Sequence, residues 1–488
     1  MRITYFNDIK NILFSNLTTK QTIFKNTFWL GVGTAVNKLL ALALIIYAAR
    51  ILGAVEYGKF TFAVAFVSLL MIFSDLGLAT IITREFSREK EKKEEFYSLI
   101  SLKALLTFGS LILILLVSSF VVKEESIRRI VLIMASYLLI NGLIGVFYCF
   151  FHARQKMEYE AGLEIMQVLL IFGFGIFVLF KFPSAEKLSY AYLFSSLFTF
   201  LSVLIFFQFK IFSLKIKWDF SVWKKFLTMS WPLALMGLFG VIYNYTDSVM
   251  LGYWNMLAET GWYNAAQKIA TASWAPMGLI AASFYPALSK FSKKSEKKFQ
   301  NAWNHELEIM IMFALPLIAG GIALAPKIIY CLYPPDFSPS ILTFQILILT
   351  AGIIILYRPF YDAMIILNQQ AKMFLITIVG AITNVILNLL LIPKYTLYGA
   401  AVATLITNFL ILFIIGIFMK KFTFVRFPFL KTLSILLASA FASALMYFIV
   451  KQPFLYQINV FLLILFGAII YFITILGIKK YILIYVQK

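Results

Sequence analysis

Residues 65–85 read AFVSLLMIFSDLGLATIITRE: an apolar run, Asp75, a second apolar run, and a basic end at Arg84. As an α-helix, at about 1.5 Å per residue, the stretch is ~30 Å long, the thickness of a bilayer's hydrocarbon core. Its length and apolarity read as one membrane crossing. A carboxylate inside such a crossing costs about 2.5–3.5 kcal/mol on insertion scales, so Asp75 is expected to face a partner or a water-filled interior and not lipid.

The rest of the chain repeats the pattern. Of 488 residues, 62% are hydrophobic and 13% charged, against about 45–50% apolar and 25% charged in soluble domains. The composition is that of an integral membrane protein. Trp29, Tyr47, Trp231 and Trp262 sit near the ends of apolar runs, where interfacial anchoring places aromatic rings. Two cysteines, Cys149 and Cys331, match neither a disulfide framework nor a metal-ligand spacing, and no cofactor is expected. The first 26 residues have no apolar core with a small-residue cleavage site, so the first crossing is expected to direct insertion. Within them Ile9, Ile12, Leu13 and Leu17 suit one side of a short surface helix.

At roughly 20 apolar residues per crossing, spans are expected near 27–49, 59–83, 98–122, 130–151, 160–180 and 188–209. A second set follows near 228–252, 262–288, 305–325, 338–357, 371–392 and 397–419, with a last pair at 429–450 and 455–478. The fold class is therefore all-α with fourteen transmembrane helices. Of the 43 Lys and Arg residues, thirty fall on the side of the termini, ten on the opposite side and three, Lys38, Lys103 and Lys268, within spans. Basic loops face the cytoplasm, so both termini are expected there. This asymmetry accounts for most of the net charge of +21 without a nucleic-acid partner. Runs such as SREKEKKEE (87–95) and KFSKKSEKK (290–298) read as solvated loops.

Residues 50–63, RILGAVEYGKFTFA, join spans one and two; residues 253–266, YWNMLAETGWYNAA, join spans seven and eight. Glu56, Gly58 and Ala63 align with Glu259, Gly261 and Ala266 at one constant offset, on the same side and six spans apart. That is the signature of a parallel repeat about an axis along the membrane normal. The order of RILGAVEYGKF, SDLGLATIITRE, TDSVMLGYW with ETGWYNAAQKI, and TNVILNLLLIPKYTLYGAAVAT resembles the polysaccharide-repeat flippases of the multidrug/oligosaccharidyl-lipid/polysaccharide exporter superfamily.

The resemblance implies a boundary set of 1–26 for the N-terminal segment, 27–218 for a first six-helix lobe, 219–419 for a second and 420–488 for two added helices. It implies two lobes flanking a central cavity. The implied activity is alternating-access transfer of a polyprenyl- or dolichyl-(pyro)phosphate-linked oligosaccharide to the outer leaflet of the cell membrane. Membrane lipids, polysaccharide-assembly proteins and a coupling H+ or Na+ are the implied partners.

Within the spans, Asp75 and Lys38 lie at similar depth on adjacent helices and are expected to pair or to face a cavity. Asp247 and Lys268 occupy the corresponding places in the second lobe, with Asn244 and Asn264 one turn away. Because a pyrophosphate entering a low-dielectric chamber needs cations, Lys38, Arg50 and Lys268 are the candidates for binding it. Asp75 and Asp247 are the candidates for ion coupling. Arg358 and Asp362, at i, i+4 near the inner end of span ten, are a candidate cytoplasmic gate. Thr377, Asn384 and Asn388, with Thr404 and Asn408, read as hydrogen-bonding glue beside the small-residue seam GAAVA (399–403).

A membrane-embedded glycosyltransferase or polymerase is disfavoured by short outer loops and by having only His152 and His305, both near the cytoplasmic edge. HELEI (305–309) lacks the second His of a zinc motif. A non-enzymatic transporter is expected. A drug/cation antiporter and a peptidoglycan-precursor flippase of the same superfamily are the alternative readings.

Overall fold

The structure, a computed structural model, describes residues 13–88, 93–211, 213, 215–455 and 457–486, with side chains followed to 478. The surface helix expected around Ile9 and Ile12, and part of the charged run at 87–95, lie outside the described residues. Among the described residues there is no strand. In order the helices are α1 Thr19–Leu70, α2 Ile72–Asp75, α3 Leu78–Arg88, α4 Lys93–Val121, α5 Glu125–Ala153, α6 Met157–Lys181, α7 Ala185–Lys210 and α8 Phe220–Tyr253. They continue as α9 Leu257–Ser292, α10 Glu296–Leu332, α11 Ser340–Ile366, α12 Gln370–Phe422, α13 Phe429–Val450 and α14 Val460–Val486.

Among the described residues, eleven helical stretches are long and apolar enough to cross a membrane. Two of them contain two crossings each, folded at a single corner residue: the stretch that begins with α1, at Gly53, and α12, at Thr396. The 36-residue α9 adds the remaining crossing; Glu259, Asn264, Gln267 and Lys268 keep its first half less apolar than the others. Fourteen crossings result, as the sequence indicates. Gly53 has φ 72° and ψ 175°, a conformation that glycine adopts at no steric cost. The space around it is open, so the residue is required by its backbone and not by crowding. At the other corner the two arms of α12 meet backbone to backbone: a Cβ on Gly399 would lie 2.4 Å from the Leu391 carbonyl oxygen.

The second span is broken. α2 ends at Asp75, Leu76 and Gly77 take left-handed φ values of 47° and 73°, and the helix restarts as α3. Gly77 is clamped against α8, where an added Cβ would lie 2.7 Å from Leu233 Cβ and 3.0 Å from Ser230 O. Pro232, which has no N–H to give to the helix ladder, sits in that same turn of α8.

The chain divides into two compact units, Met1–Tyr253 and Trp254–Lys488. Close packing therefore groups α8 with the first unit, whereas the boundary read from the sequence at 218/219 groups it with the second. Each unit has its own core at the ends of the helices that carry the basic loops. In the first, Phe86, Phe96, Phe147, Phe150, Phe151 and Phe207 interlock, with Phe147 and Phe207 ring centroids 4.7 Å apart. In the second, Leu288, Phe299, Trp303, Phe360, Met364, Met373 and Met419 do the same. The first cluster draws on spans two, three, four, six and seven, and the second on spans eight to twelve, so four of the spans correspond at the six-span shift that also relates the two loops of the sequence repeat. Ion pairs close the ends: fully buried Lys25 binds Glu158 at 2.8 Å, tying the start of α1 to the start of α6.

Two glycines can be compared directly. Gly53→Ala is expected to cost about 1–3 kcal/mol from backbone strain alone. Gly77→Ala should cost more, about 2–5 kcal/mol, because α8 must also move. Thermal unfolding of the purified variants in detergent should rank them wild type above Gly53→Ala above Gly77→Ala.

Candidate functional site

The acid that opened the sequence question lies at the break of the second span. Lys103 of α4 is almost fully buried, and its Nζ donates to Asp75 Oδ1 at 2.6 Å. The partner is thus not Lys38, whose side chain is exposed on α1. Depth alone does not choose between neighbours: Lys103 lies ten residues into α4, at about the depth of Asp75, and the turn at Leu76 and Gly77 sets which neighbour the carboxylate meets. Asp75 and Lys103 line a space of about 230 Å³ together with Ser74, Gly142, Gly145 and Cys149. The two glycines leave α5 without side chains there, which makes the room.

The other sequence candidates separate by burial. Asp247 is buried in α8 and Asn244, three residues before it, is exposed with its Nδ2 donating to Gly240 O at 2.7 Å. Asn264 is buried in α9, donating to Thr260 O at 2.8 Å, while Lys268 one turn later is exposed. Asp247 belongs to the first unit and Lys268 to the second. Arg50 is exposed just before the Gly53 corner.

In the second unit Arg358 Nε donates to Asp362 Oδ2 at 3.0 Å, the i, i+4 pair read from the sequence, with Asp362 buried. The sequence reading missed their neighbour. Glu306 of α10 is fully buried, neither carboxyl oxygen has a hydrogen-bond partner, and Asp362 and Arg358 are close enough to act on it electrostatically. Its signal was an acid within a span, hidden by its place in HELEI. Next to it His305 packs its ring on Phe284. Among other unforeseen pairs, His152 binds Glu160. On the opposite membrane face, Lys59 binds Glu124 at 2.8 Å, and the ammonium holds that loop carboxyl below the usual carboxylate range.

A polar ladder joins α11 to the two arms of α12. Asn388 Nδ2 donates to Asn384 Oδ1, Asn384 Nδ2 to Thr404 Oγ1, and the Tyr357 hydroxyl to Asn408 Oδ1, at 3.1 to 3.4 Å. Elsewhere in this unit an apolar groove of about 480 Å³ runs between α10 and the last helix pair, lined by Phe313, Leu317, Met446, Phe461, Ile464 and Phe472.

A family profile described as polysaccharide biosynthesis protein matches residues 23–292, more than half of the chain. The chain belongs to that family. A relative within reach is the probable low-salt glycan biosynthesis flippase Agl15 of Haloferax volcanii, 23% identical over 369 residues, which cover 74% of this chain and 75% of the relative. The probable flippase AglR of the same organism is 24% identical over 171 residues, 34% of this chain and 35% of its own. Among solved structures, the lipid II flippase MurJ superposes with a TM-score of 0.78 at 18% identity, covering 93% of this chain and 99% of MurJ. An inward-facing multidrug-resistance MATE transporter superposes with a TM-score of 0.62 at 14% identity, covering 84% and 98%. The fold of this polysaccharide-biosynthesis family member is thus that of MurJ, a multi-pass helical membrane protein.

Two variants test the charge placements. Lys103→Met leaves Asp75 without its partner and should lower stability by about 1–3 kcal/mol, less than for a fully buried pair because Asp75 keeps some exposure. Adding Asp75→Asn should recover most of the loss, a coupling that a double-mutant cycle measures. Glu306→Met, by removing a buried carboxyl that nothing satisfies, should raise the melting temperature, by the equivalent of about 1–4 kcal/mol.

Proposed function

We propose that this protein is a flippase that carries a lipid-linked oligosaccharide from the cytoplasmic to the outer leaflet of the cell membrane, for surface polysaccharide or glycan assembly. The observation that carries this reading is the similarity to a probable glycan-biosynthesis flippase across three quarters of both chains, within a polysaccharide-biosynthesis family. The physical chemistry is consistent with it. A (pyro)phosphate headgroup leaving water needs cations along its path. Lys38 and Lys268 are exposed at membrane depth, and Arg50 lies near the outer end of its span. In the proposed cycle the binding site opens to one leaflet at a time, and these three cations bind the headgroup.

The isoprenoid chain stays outside the polar path, and the apolar groove beside α13 and α14 offers it a hydrocarbon surface. Asp75 and Asp247 couple the cycle to H+ or Na+, and the Arg358–Asp362 pair closes the cytoplasmic side. Both termini lie in the cytoplasm on this reading, as the basic loops require. No bond in the cargo is made or broken, so the protein acts as a transporter and not as an enzyme.

The test is reconstitution into liposomes with a fluorescent polyprenyl-pyrophosphate oligosaccharide, scored by how much label becomes accessible to an external quencher. Wild type should equilibrate the lipid between leaflets. Lys38→Gln combined with Lys268→Gln should slow it about tenfold or more, since each hydrogen bond to a charged group is worth roughly 1.5–3 kcal/mol. Transport of lipid II or of a cationic dye in preference to the oligosaccharide would refute the assignment.

A further inference from the structure

One feature of the second unit belongs to none of these parts. Where α10 begins, α12 ends and α13 begins, on the face that carries the basic loops, the structure encloses a cleft of about 1220 Å³. Its rim holds Lys297, Lys420 and Arg426, all exposed, against one acid, Glu296. Aromatic rings form its floor: buried Trp303 packs edge-on against Phe360, and Phe360 stacks on Phe427. Its outer wall is apolar and open to lipid, with Phe413 67% and Phe429 65% exposed.

The cleft is built and not a gap between loose loops. Gln300 Oε1 accepts from the Arg426 N–H at 2.8 Å and its Nε2 donates to the Arg426 carbonyl at 2.8 Å, so the backbone of Arg426 is fixed at the rim. Gly416 opens the wall of α12: a Cβ there would meet nothing within 4 Å. Cations above, rings below and an apolar side gate describe a receptor for an amphiphile with an anionic head. Basic pockets between transmembrane helices at the cytoplasmic surface hold the headgroups of anionic lipids.

We infer that this cleft binds an anionic phospholipid of the cytoplasmic leaflet, its phosphate held by Lys297, Lys420 and Arg426 and its chains lying against Phe413 and Phe429. The lipid bridges α10 and α12 at the linker to the terminal helix pair. This site is separate from the charged pairs within the spans, and its occupancy can be measured without any transport assay.

The experiment is native mass spectrometry of the full-length protein in detergent, titrated with phosphatidylglycerol, phosphatidylcholine or undecaprenyl phosphate. Phosphatidylglycerol should bind in preference to phosphatidylcholine, and its affinity should fall about fivefold for each cation removed in K297Q, K420Q and R426Q. Gly416→Phe, which fills the cleft, should reduce the binding of both phospholipids. K293Q/K294Q, which removes two exposed lysines that do not line the cleft, should leave binding unchanged. Equal binding of the two phospholipids would overturn the inference, as would equal losses in K293Q/K294Q and the rim variants. So would stronger binding of undecaprenyl phosphate than of phosphatidylglycerol, which would make the cleft an entry point for cargo.

Discussion

No backbone amide can remain unpaired in hydrocarbon, and that constraint shapes this chain more than any side-chain contact does. It leaves helices as the means of crossing and confines departures from the helix to places where another segment covers the exposed groups. The break after Asp75 shows the rule at work. Leu76 and Gly77 leave the helical ladder where α8 presses against Gly77, and the lost turn is half-buried. The charged groups follow the same logic. Asp75 ends the short helix α2 and meets a buried lysine there, so an irregular backbone and an ionic pair share one half-buried place.

The two aromatic and methionine-rich cores show how a repeat persists after most of its sequence identity is gone. Three aligned residues in the loops before spans two and eight are a slender record, yet both units place their densest packing at corresponding helix ends. The first unit fills that place with phenylalanines, and the second mixes Trp303 and Phe360 with Met364, Met373 and Met419. Volume at each layer is what packing demands, and different residues can supply it.

Crossing number and the basic face were legible because both depend on composition over twenty residues at a time, which single substitutions hardly alter. The corners at Gly53 and Thr396 fall in the gaps, 50–58 and 393–396, between the spans expected from the sequence. Partners were harder to read. Asp75 was expected to meet Lys38 or a cavity, and it does line a small space, but depth fixes only one coordinate, and the choice of Lys103 as its partner depends on how the chain rotates at Leu76 and Gly77. Glu306 was passed over because HELEI was judged as a zinc motif, a test of spacing that says nothing about whether a lone acid is buried. Likewise the burial of Lys25 against Glu158 joins segments more than a hundred residues apart, for which neither local sequence carries a sign.

The single-residue corners at Gly53 and Thr396 bear on how the chain is made. With no linker between the two arms, the first arm cannot settle in the bilayer independently of the second. Each pair is expected to enter the bilayer as one hairpin. Lys394 sits close to one such tip, and Arg50 and Glu56 flank the other, so each hairpin brings charge at its tip together with two apolar arms that offset it.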